Sequence, residues 1–262
     1  MGDKMKTISF LDNTSAHLPE LMKQADRENL NHDKIIVTDS FLHHQLNNKI
    51  KIAWLLEPEC IFPYSYNFIT SNYSNFTYVL THTKDLMDKI PNAVFYAFGT
   101  TFIKSKDFKI YEKTKNISMI ASNKTFCKGH EFRHIVRKSM PESVDIFGIG
   151  INPVDYKLDA LRDYRYSVAM ENSKHDFYFT EKLIDCFLTG TVPIYWGCPG
   201  IGKFFDTNGI LSFDTLQDAH QWLQKADEVD YHSRRSAIME NFERAKSYVN
   251  TYDSVYNFVD SL

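Results

Sequence analysis

The 262-residue sequence has no long apolar run, no clustered cysteines and no tract of basic residues. A transmembrane helix needs roughly 18 consecutive apolar residues, and no segment approaches that length. The four cysteines form no Cys-x-x-Cys pair, which argues against a zinc site or a disulfide framework. A net charge of −3 argues against nucleic-acid binding. Because the N-terminus also has no signal-peptide core, we expect a cytoplasmic protein without a transmembrane segment.

One metal-ligand pattern is missing as well. The sequence contains no Asp-x-Asp carboxylate pair, whereas a His-Glu-x-x-His spacing does occur, at His130-Glu131-Phe132-Arg133-His134. Carboxylate pairs of the first kind hold Mg²⁺ or Mn²⁺ on a diphosphate in one class of sugar transferase. We therefore expect chemistry that requires no metal ion and no other cofactor.

The residues that are present indicate a soluble α/β protein. Hydrophobic residues make up 43% of the chain and charged residues 24%, which is enough for a core. Short runs rich in β-branched residues alternate with amphipathic segments, which is typical of βαβ units and a mainly parallel sheet. Strands are predicted at Ile8–Leu11, Lys34–Thr38, Lys51–Leu56, Tyr78–Thr81, Ala93–Phe98, Ile117–Ala121, Val144–Ile149, Arg165–Met170, Val192–Trp196 and Ile210–Phe213. Helices are predicted at His17–Glu28, Thr83–Ile90, Gly129–Met140, Val154–Asp163, Glu181–Leu188 and Thr215–Ala226, with two more within Tyr231–Leu262.

The lysine-rich segment Lys104–Lys115 divides this series and predicts a domain boundary. We expect one α/β domain in residues 1–110 and a second in residues 111–262, the latter including the C-terminal helices. Two such Rossmann-like halves would face each other across a cleft, with ligands at the carboxyl ends of the strands.

The densest chemical pattern is the stretch Glu171–Gly197. A polar loop follows the strand Arg165–Met170, and Thr180 occupies the position expected for the N-cap of the next helix. A helix N-terminus carries free N–H groups and partial positive charge, which suits a phosphate. Lys182 would add a full positive charge, and Glu181 would accept hydrogen bonds from sugar hydroxyls. An ordinary solvated helix cap is the alternative.

This stretch resembles the signature of glycosyltransferase family 10, the α1,3/4-fucosyltransferases. The matching pieces are Glu171-Asn172-Ser173, Tyr178-Phe179-Thr180-Glu181-Lys182 and Thr191-Val192-Pro193-Ile194-Tyr195-Trp196-Gly197. The resemblance implies a GT-B fold, with an N-terminal acceptor domain and a C-terminal nucleotide-sugar domain, and inverting transfer of fucose from GDP-fucose. It also implies that Asn172, Tyr178, Glu181 and Lys182 contact the donor, with the lysine facing the diphosphate.

A second resemblance lies upstream, where a strand ends in Ser122-Asn123. In the family an arginine soon after this pair binds the phosphates. Here that position falls near His130, and Arg133 follows one helical turn later, so Arg133, His130 and Lys128 are all candidates. We favour Arg133, because a guanidinium binds phosphate through two parallel hydrogen bonds. An ordinary basic helix face is the alternative.

An inverting transferase needs a base that takes the proton of the acceptor hydroxyl. The predicted strand Lys51–Leu56 ends at Glu57-Pro58-Glu59, and a carboxylate just beyond a parallel strand lies where ligands bind in α/β folds. The family has its base glutamate in a corresponding position, before a Pro-containing loop. Glu57 is therefore the predicted base, with Glu59 as the fallback, and a simple loop start is the alternative.

The sequence thus predicts a metal-independent fucosyltransferase that acts on a saccharide hydroxyl, with an α1,3-type linkage implied by the resemblance. Two alternatives remain open: the same fold with another nucleotide-sugar donor, or a nucleotide-sugar-binding module without catalysis. The predicted partners are the donor and a saccharide acceptor. The acceptor itself is not encoded in a motif, because acceptor pockets are built from variable loops.

Overall fold

In the computed structural model of the chain, residues 7–12 and 25–262 are described. These residues form two compact units. The first unit runs up to Phe98 and also includes Asn250–Leu262, and the second is Gly99–Val249. The predicted boundary near residue 110 therefore differs from the observed division, and the last helix belongs to the first unit rather than to the second.

Each unit alternates strands and helices. The first stretch contains β1 (Ile8–Leu11), β2 (Lys34–Thr38), β3 (Ile50–Trp54), α1 (Pro63–Asn72), β4 (Tyr78–Thr81), α2 (Lys84–Lys89) and β5 (Ala93–Phe95). The remainder contains β6 (Lys115–Ile120), α3 (Lys128–Lys138), β7 (Val144–Phe147), β8 (Tyr164–Met170), α4 (Glu181–Leu188), β9 (Val192–Trp196), β10 (Leu211–Ser212), α5 (Leu216–Lys225), α6 (Glu228–Ser233), α7 (Arg235–Ala245) and α8 (Thr251–Asp260).

The described strands of the first unit form a parallel sheet in the order β1-β2-β3-β4-β5. Adjacent residues of β2 point to opposite faces, so Ile36 packs in one core and Ile35 in the other. Helix α8 covers the Ile36 face, where Val255 and Val259 are fully buried. This packing explains why the chain returns to the first unit at its end.

The second unit has a parallel sheet in the order β10-β9-β8-β6-β7. Strand β8 is almost entirely buried between β6 and β9. Because parallel strands end at the same edge, the segments after β6, β7 and β8 lie together at the carboxyl edge of the sheet. This edge carries the candidate donor-binding residues.

Most predicted elements are present, with a few differences. Residues 17–24 of the predicted helix His17–Glu28 lie outside the described residues, and residues 25–28 form no helix. The helix predicted at Val154–Asp163 is only a short 3-10 helix, Lys157–Ala160, and helix α1 was not predicted. The last segment holds three α-helices, α6 to α8, instead of two.

Every helix within residues 7–12 and 25–262 is too short or too polar to cross a bilayer.

Candidate active site

The start of helix α4 is held by a buried carboxylate. Thr180 is the N-cap, as predicted, and its Oγ1 accepts a hydrogen bond from the Lys182 backbone N–H over 3.4 Å. The Glu171 carboxylate in turn accepts from the Thr180 backbone N–H at 2.9 Å and from its hydroxyl at 2.6 Å. Glu171 is fully buried. It therefore fixes the loop to the helix start, a role that the sequence reasoning did not assign.

Lys182 and Glu181, the predicted donor-binding pair, form an ion pair at this helix start. Lys182 Nζ lies 3.0 Å from Glu181 Oε1 and 3.7 Å from Glu171 Oε2. Burial alone would raise the pKa of Glu181, but Lys182 and Lys157 outweigh it and hold that pKa at about 2. Glu181 is therefore ionised at neutral pH and is a strong hydrogen-bond acceptor.

A second buried ion pair supports the same helix. Lys157 Nζ lies 2.7 Å from Asp185 Oδ2, and the lysine side chain is only 18% exposed. Asp185 also accepts hydrogen bonds from the Phe102 backbone N–H, at 3.1 Å, and from the Thr101 hydroxyl. The partner carboxylate on α4, Asp185, is fully buried, so the pair ties Lys157 to this helix.

His130 and Asn172 are joined by a hydrogen bond of fixed direction. The Phe126 backbone N–H donates to His130 Nδ1 over 3.1 Å, so the ring proton must be on Nε2. Nε2 then donates to Asn172 Oδ1 at 3.0 Å. Burial, reinforced by the positive charge of Arg133, lowers the pKa of His130 to about 4. The ring is neutral at pH 7 and holds Asn172 in one orientation.

Arg133 is 5% exposed and fastens helix α3 to the end of β8. Its Nη2 donates to the Met170 carbonyl oxygen at 2.8 Å, to the Glu171 carbonyl oxygen at 3.1 Å and to Asn172 Oδ1 at 3.1 Å. This nitrogen positions the loop that carries Asn172. Lys128, the other cationic candidate, is exposed at the first residue of α3. The assignment of a phosphate contact to Arg133 stays a prediction.

These groups belong to one electrostatic neighbourhood. Lys182 contributes to the lowered pKa of His130, and Glu181 and the buried Tyr178 both raise the pKa of Arg133 against its burial. The structure thus brings together, within the second unit, all six residues predicted to bind the donor: His130, Arg133, Asn172, Tyr178, Glu181 and Lys182.

Helix α3 approaches the Asn172 loop so closely that its second residue must lack a side chain. A Cβ on Gly129 would lie 2.1 Å from the Asn172 carbonyl oxygen. Gly148, after β7, has a φ of +138°, and a Cβ there would lie 1.7 Å from the Ala121 carbonyl oxygen. Glycines therefore allow the loops at the carboxyl edge of this sheet to pack against one another.

Glu57, the predicted base, lies in the first unit three residues beyond the end of β3. It is partly buried, and its carbonyl oxygen accepts a hydrogen bond from the Tyr66 hydroxyl at 3.1 Å. Its neighbour Asp39, directly after β2, is buried and was missed. The signal that selected Glu57, an acid just beyond a strand, applies to Asp39 equally. Glu59, the fallback, is exposed.

Across residues 7–12 and 25–262, no group of three or more His, Cys, Asp or Glu side chains is arranged to hold a metal ion.

Part of this chain is similar in sequence to a known protein family. Residues 110–235 match the C-terminal region of glycosyltransferase family 10 (fucosyltransferase). A 115-residue stretch is 30% identical to the α-(1,3)-fucosyltransferase FucT of Helicobacter pylori, and it covers 44% of this chain and 23% of that protein. The chain therefore spans less than a quarter of this curated relative.

Solved structures match over nearly the whole chain. An α1,3-fucosyltransferase crystallised with GDP-fucose superposes with a TM-score of 0.60 at 16% identity, covering 96% of this chain and 92% of that one. A mutant of S. aureus TarM, solved in complex with fondaparinux, α-GlcNAc-glycerol and UDP, also gives a TM-score of 0.60 at 11% identity, covering 87% of this chain and 55% of that one. These similarities confirm the GT-B-like fold class, with two Rossmann-like α/β domains and C-terminal helices.

Proposed function

Since this chain belongs to glycosyltransferase family 10 through residues 110–235, we propose that it transfers fucose from GDP-fucose to a hydroxyl of a saccharide acceptor. The transfer inverts the anomeric carbon, needs no metal ion and makes an α1,3-type linkage. The observation that supports it best is the start of α4, where ionised Glu181 forms an ion pair with Lys182. Beside this pair, the side-chain oxygen of Asn172 accepts hydrogen bonds from His130 and Arg133.

In the proposed reaction the second unit binds the donor. Lys182 and Arg133 stabilise the negative charge that grows on the departing GDP, and the N–H groups at the start of α4 add to that field. Glu181 accepts hydrogen bonds from donor hydroxyls, and Asn172 and Tyr178 orient the donor. Positive groups fixed in advance stabilise the leaving group without reorganising during the reaction.

The first unit supplies the base in this proposal. Glu57 takes the proton from the acceptor hydroxyl while the bond between fucose and phosphate breaks. Because the acceptor oxygen attacks the anomeric carbon directly, no covalent intermediate with the protein forms and the configuration inverts.

One pair of variants tests these roles. Glu57→Gln keeps the size of the side chain but removes the base, so kcat should fall by about 10² to 10⁴ while the Kd for GDP stays near normal. Lys182→Ala should raise the Kd for GDP as well as lower kcat, because the cation is lost from the donor site. Normal turnover by Glu57→Gln would exclude Glu57 as the base and direct the search first to Glu59.

Donor identity and catalysis are tested on the wild-type protein. Thermal shift with GDP, UDP and CMP should show stabilisation by GDP, and stabilisation by UDP alone would indicate another donor. The TarM mutant, which has the same fold, was solved with UDP, so that alternative is concrete. GDP release from GDP-fucose should rise when acceptor oligosaccharides are added, and EDTA should leave the rate unchanged. Tight GDP binding with no turnover on any glycan would favour a binding module.

A further inference from the structure

Asp39 is an acidic side chain buried in the first unit, directly after β2. It is 4% exposed, and its backbone φ of 32° lies in the left-handed region that few residues other than glycine adopt. The Ser65 hydroxyl donates a hydrogen bond to its carbonyl oxygen over 2.8 Å. A residue keeps such a backbone conformation only where surrounding contacts fix it.

The carboxyl group of Asp39 holds the backbone that leads into Glu57. The Leu56 N–H donates to Asp39 Oδ1 at 3.0 Å, and the Glu57 N–H donates to the same carboxyl group. On the C-terminal side of Glu57, the Tyr66 hydroxyl donates to the Glu57 carbonyl oxygen at 3.1 Å. The peptide groups on both sides of the Glu57 Cα are therefore hydrogen-bonded to buried side chains.

This arrangement has an electrostatic cost. Burial raises the pKa of Asp39 well above its usual range, and the nearby charge of Glu57 raises it further, while the two N–H donors oppose that rise. An asparagine at this position would also present an oxygen to an N–H donor, but without a second acid beside Glu57. Replacement by asparagine therefore separates the hydrogen-bonding role of Asp39 from its charge.

We propose that Asp39 is a positioning residue for the transfer reaction, which fixes the peptide of Glu57 so that the Glu57 carboxylate meets the acceptor hydroxyl in a productive orientation. This inference rests on the proposed function, in which Glu57 is the base. Proton transfer requires a heavy-atom distance of about 3 Å, so a small shift of the Glu57 backbone lowers the rate strongly.

The test compares kcat and KM of transfer from GDP-fucose for Asp39→Ala and Asp39→Asn. Asp39→Ala should lower kcat by about 30- to 100-fold, because the Leu56 and Glu57 N–H groups lose their acceptor and the base becomes misplaced. The KM for GDP-fucose and the Kd for GDP should not change. Asp39→Asn should recover most of the rate, since its side-chain oxygen still accepts a hydrogen bond. An unchanged kcat in Asp39→Ala would overturn the proposal.

A double variant separates positioning from a general structural role. Added to Glu57→Gln, the Asp39→Ala change should cause no further loss of kcat, because no base remains to be positioned. Losses that multiply would mean that Asp39 acts independently of Glu57, and would overturn the proposal. Full activity of Glu57→Gln alone would instead refute the base assignment on which the proposal rests.

A matched control is available in the same unit. Asp26 also accepts backbone hydrogen bonds through its side chain, from the N–H groups of Glu28 at 3.1 Å and Asn29 at 3.0 Å. Asp26→Ala should leave kcat unchanged, and a loss of kcat equal to that of Asp39→Ala would overturn the proposal. If Asp39→Ala does not fold, Asp39→Asn decides alone. In that case, a kcat of Asp39→Asn as low as that of Glu57→Gln would overturn the positioning role.

Discussion

Each of the two units has a buried acidic side chain just beyond a strand of its parallel sheet. Asp39 follows β2 in the first unit, and Glu171 follows β8 in the second. Both accept hydrogen bonds from backbone N–H groups, Asp39 from Leu56 and Glu171 from Thr180. Their charged neighbours differ in sign. Asp39 has another carboxylate, Glu57, beside it, whereas Glu171 lies 3.7 Å from the ammonium group of Lys182.

This difference corresponds to the two halves of the proposed reaction. A base must attract a proton, and the second acid beside it, Asp39, has its pKa raised well above the usual range by burial and by the charge of Glu57. A diphosphate site needs positive charge, and the second unit supplies cations that are balanced by buried acids. Removing the buried acid Glu171 from the second unit should therefore break a network of charges and hydrogen bonds, which is costly, whereas Asp39→Asn, which keeps an acceptor oxygen, should be tolerated.

The largest expected effect is that of Glu171→Ala, which tests this contrast directly. It removes the acceptor of both Thr180 donors and one partner of Lys182. Breaking such a buried network should lower the free energy of unfolding by about 3–5 kcal/mol and raise the Kd for GDP. Chemical denaturation and GDP titration measure the two effects.

Glu228→Ala is the matched control for Glu171→Ala. Glu228 pairs with Arg165 at 2.9 Å, but its side chain is 64% exposed, so the change in unfolding free energy should stay within about 1 kcal/mol. Equal effects of the two substitutions, or a normal Kd for GDP in Glu171→Ala, would remove the contrast between the units.

Gly129→Ala should have the next largest effect, because the added methyl group would push apart helix α3 and the Asn172 loop, which both carry predicted donor-binding residues. The new Cβ would lie 2.1 Å from the Asn172 carbonyl oxygen, a backbone atom that cannot move aside easily. Helix α3 or the Asn172 loop must shift, at a cost of about 1–3 kcal/mol in unfolding free energy, and the Kd for GDP should rise.

The control for this steric effect is Gly202→Ala in the same unit. Its Cβ would meet only a side-chain methyl group of Thr207, at 3.1 Å. A smaller loss of stability and an unchanged Kd for GDP are expected there. If Gly129→Ala bound GDP as tightly as the wild type, close packing of α3 against the Asn172 loop would not matter for the donor site.

The two units also differ in how well the sequence predicted them. In the second unit, helix Glu181–Leu188 and strand Val192–Trp196 were predicted to the residue, and Thr180 is the predicted N-cap. These elements belong to one long ordered pattern, in which a capping threonine and alternating apolar residues all agree. Local signals of this kind define element ends well because cap and core positions are both specified.

In the first unit the strands were predicted, but the surroundings of Glu57 were not. Asp39 and Tyr66 are distant from Glu57 along the chain and meet it only because β2, β3 and α1 pack together. No spacing rule links them. Helix α1 was missed although Pro63 stands at its first residue, a position that proline favours.

The absence of the α-helix predicted at Val154–Asp163 has a local reason. Its buried residues Leu158 and Leu161 are three apart, which suits the 3-10 helix that is present, and β8 already begins at Tyr164. Burial of Lys157 was likewise unpredictable, because its partner Asp185 comes from α4. The sequence specified most of the elements and the motif predicted to bind the donor, whereas the side chains that support them depend on tertiary packing.

Lys113 is an exception to the balanced charges of the second unit, and it gives the smallest expected effect. Its ammonium group is hydrogen-bonded to the carbonyl oxygens of Leu161, Arg162 and Thr189, at 2.8–3.3 Å, and to the Thr191 hydroxyl. None of these partners carries a charge. Burial therefore lowers the pKa of Lys113 from 10.5 to about 7, in spite of nearby groups that raise it.

The sign of the resulting pH dependence follows from the two pKa values of Lys113. Above pH 7 the folded protein releases the proton, whereas the unfolded chain keeps it up to about pH 10.5, so raising the pH favours the folded state. Between pH 7 and 8.5 the unfolding free energy should gain up to about 1.4 kcal/mol per pH unit from this lysine. Denaturation at several pH values should show this gain in wild type and in Lys115→Met, whose lysine is 54% exposed, but not in Lys113→Met. If the unfolding free energy of Lys113→Met rose with pH to the same extent, Lys113 would not be the source of the rise. The buried lysine would then stay charged in the folded protein, stabilised by its uncharged hydrogen-bond partners alone.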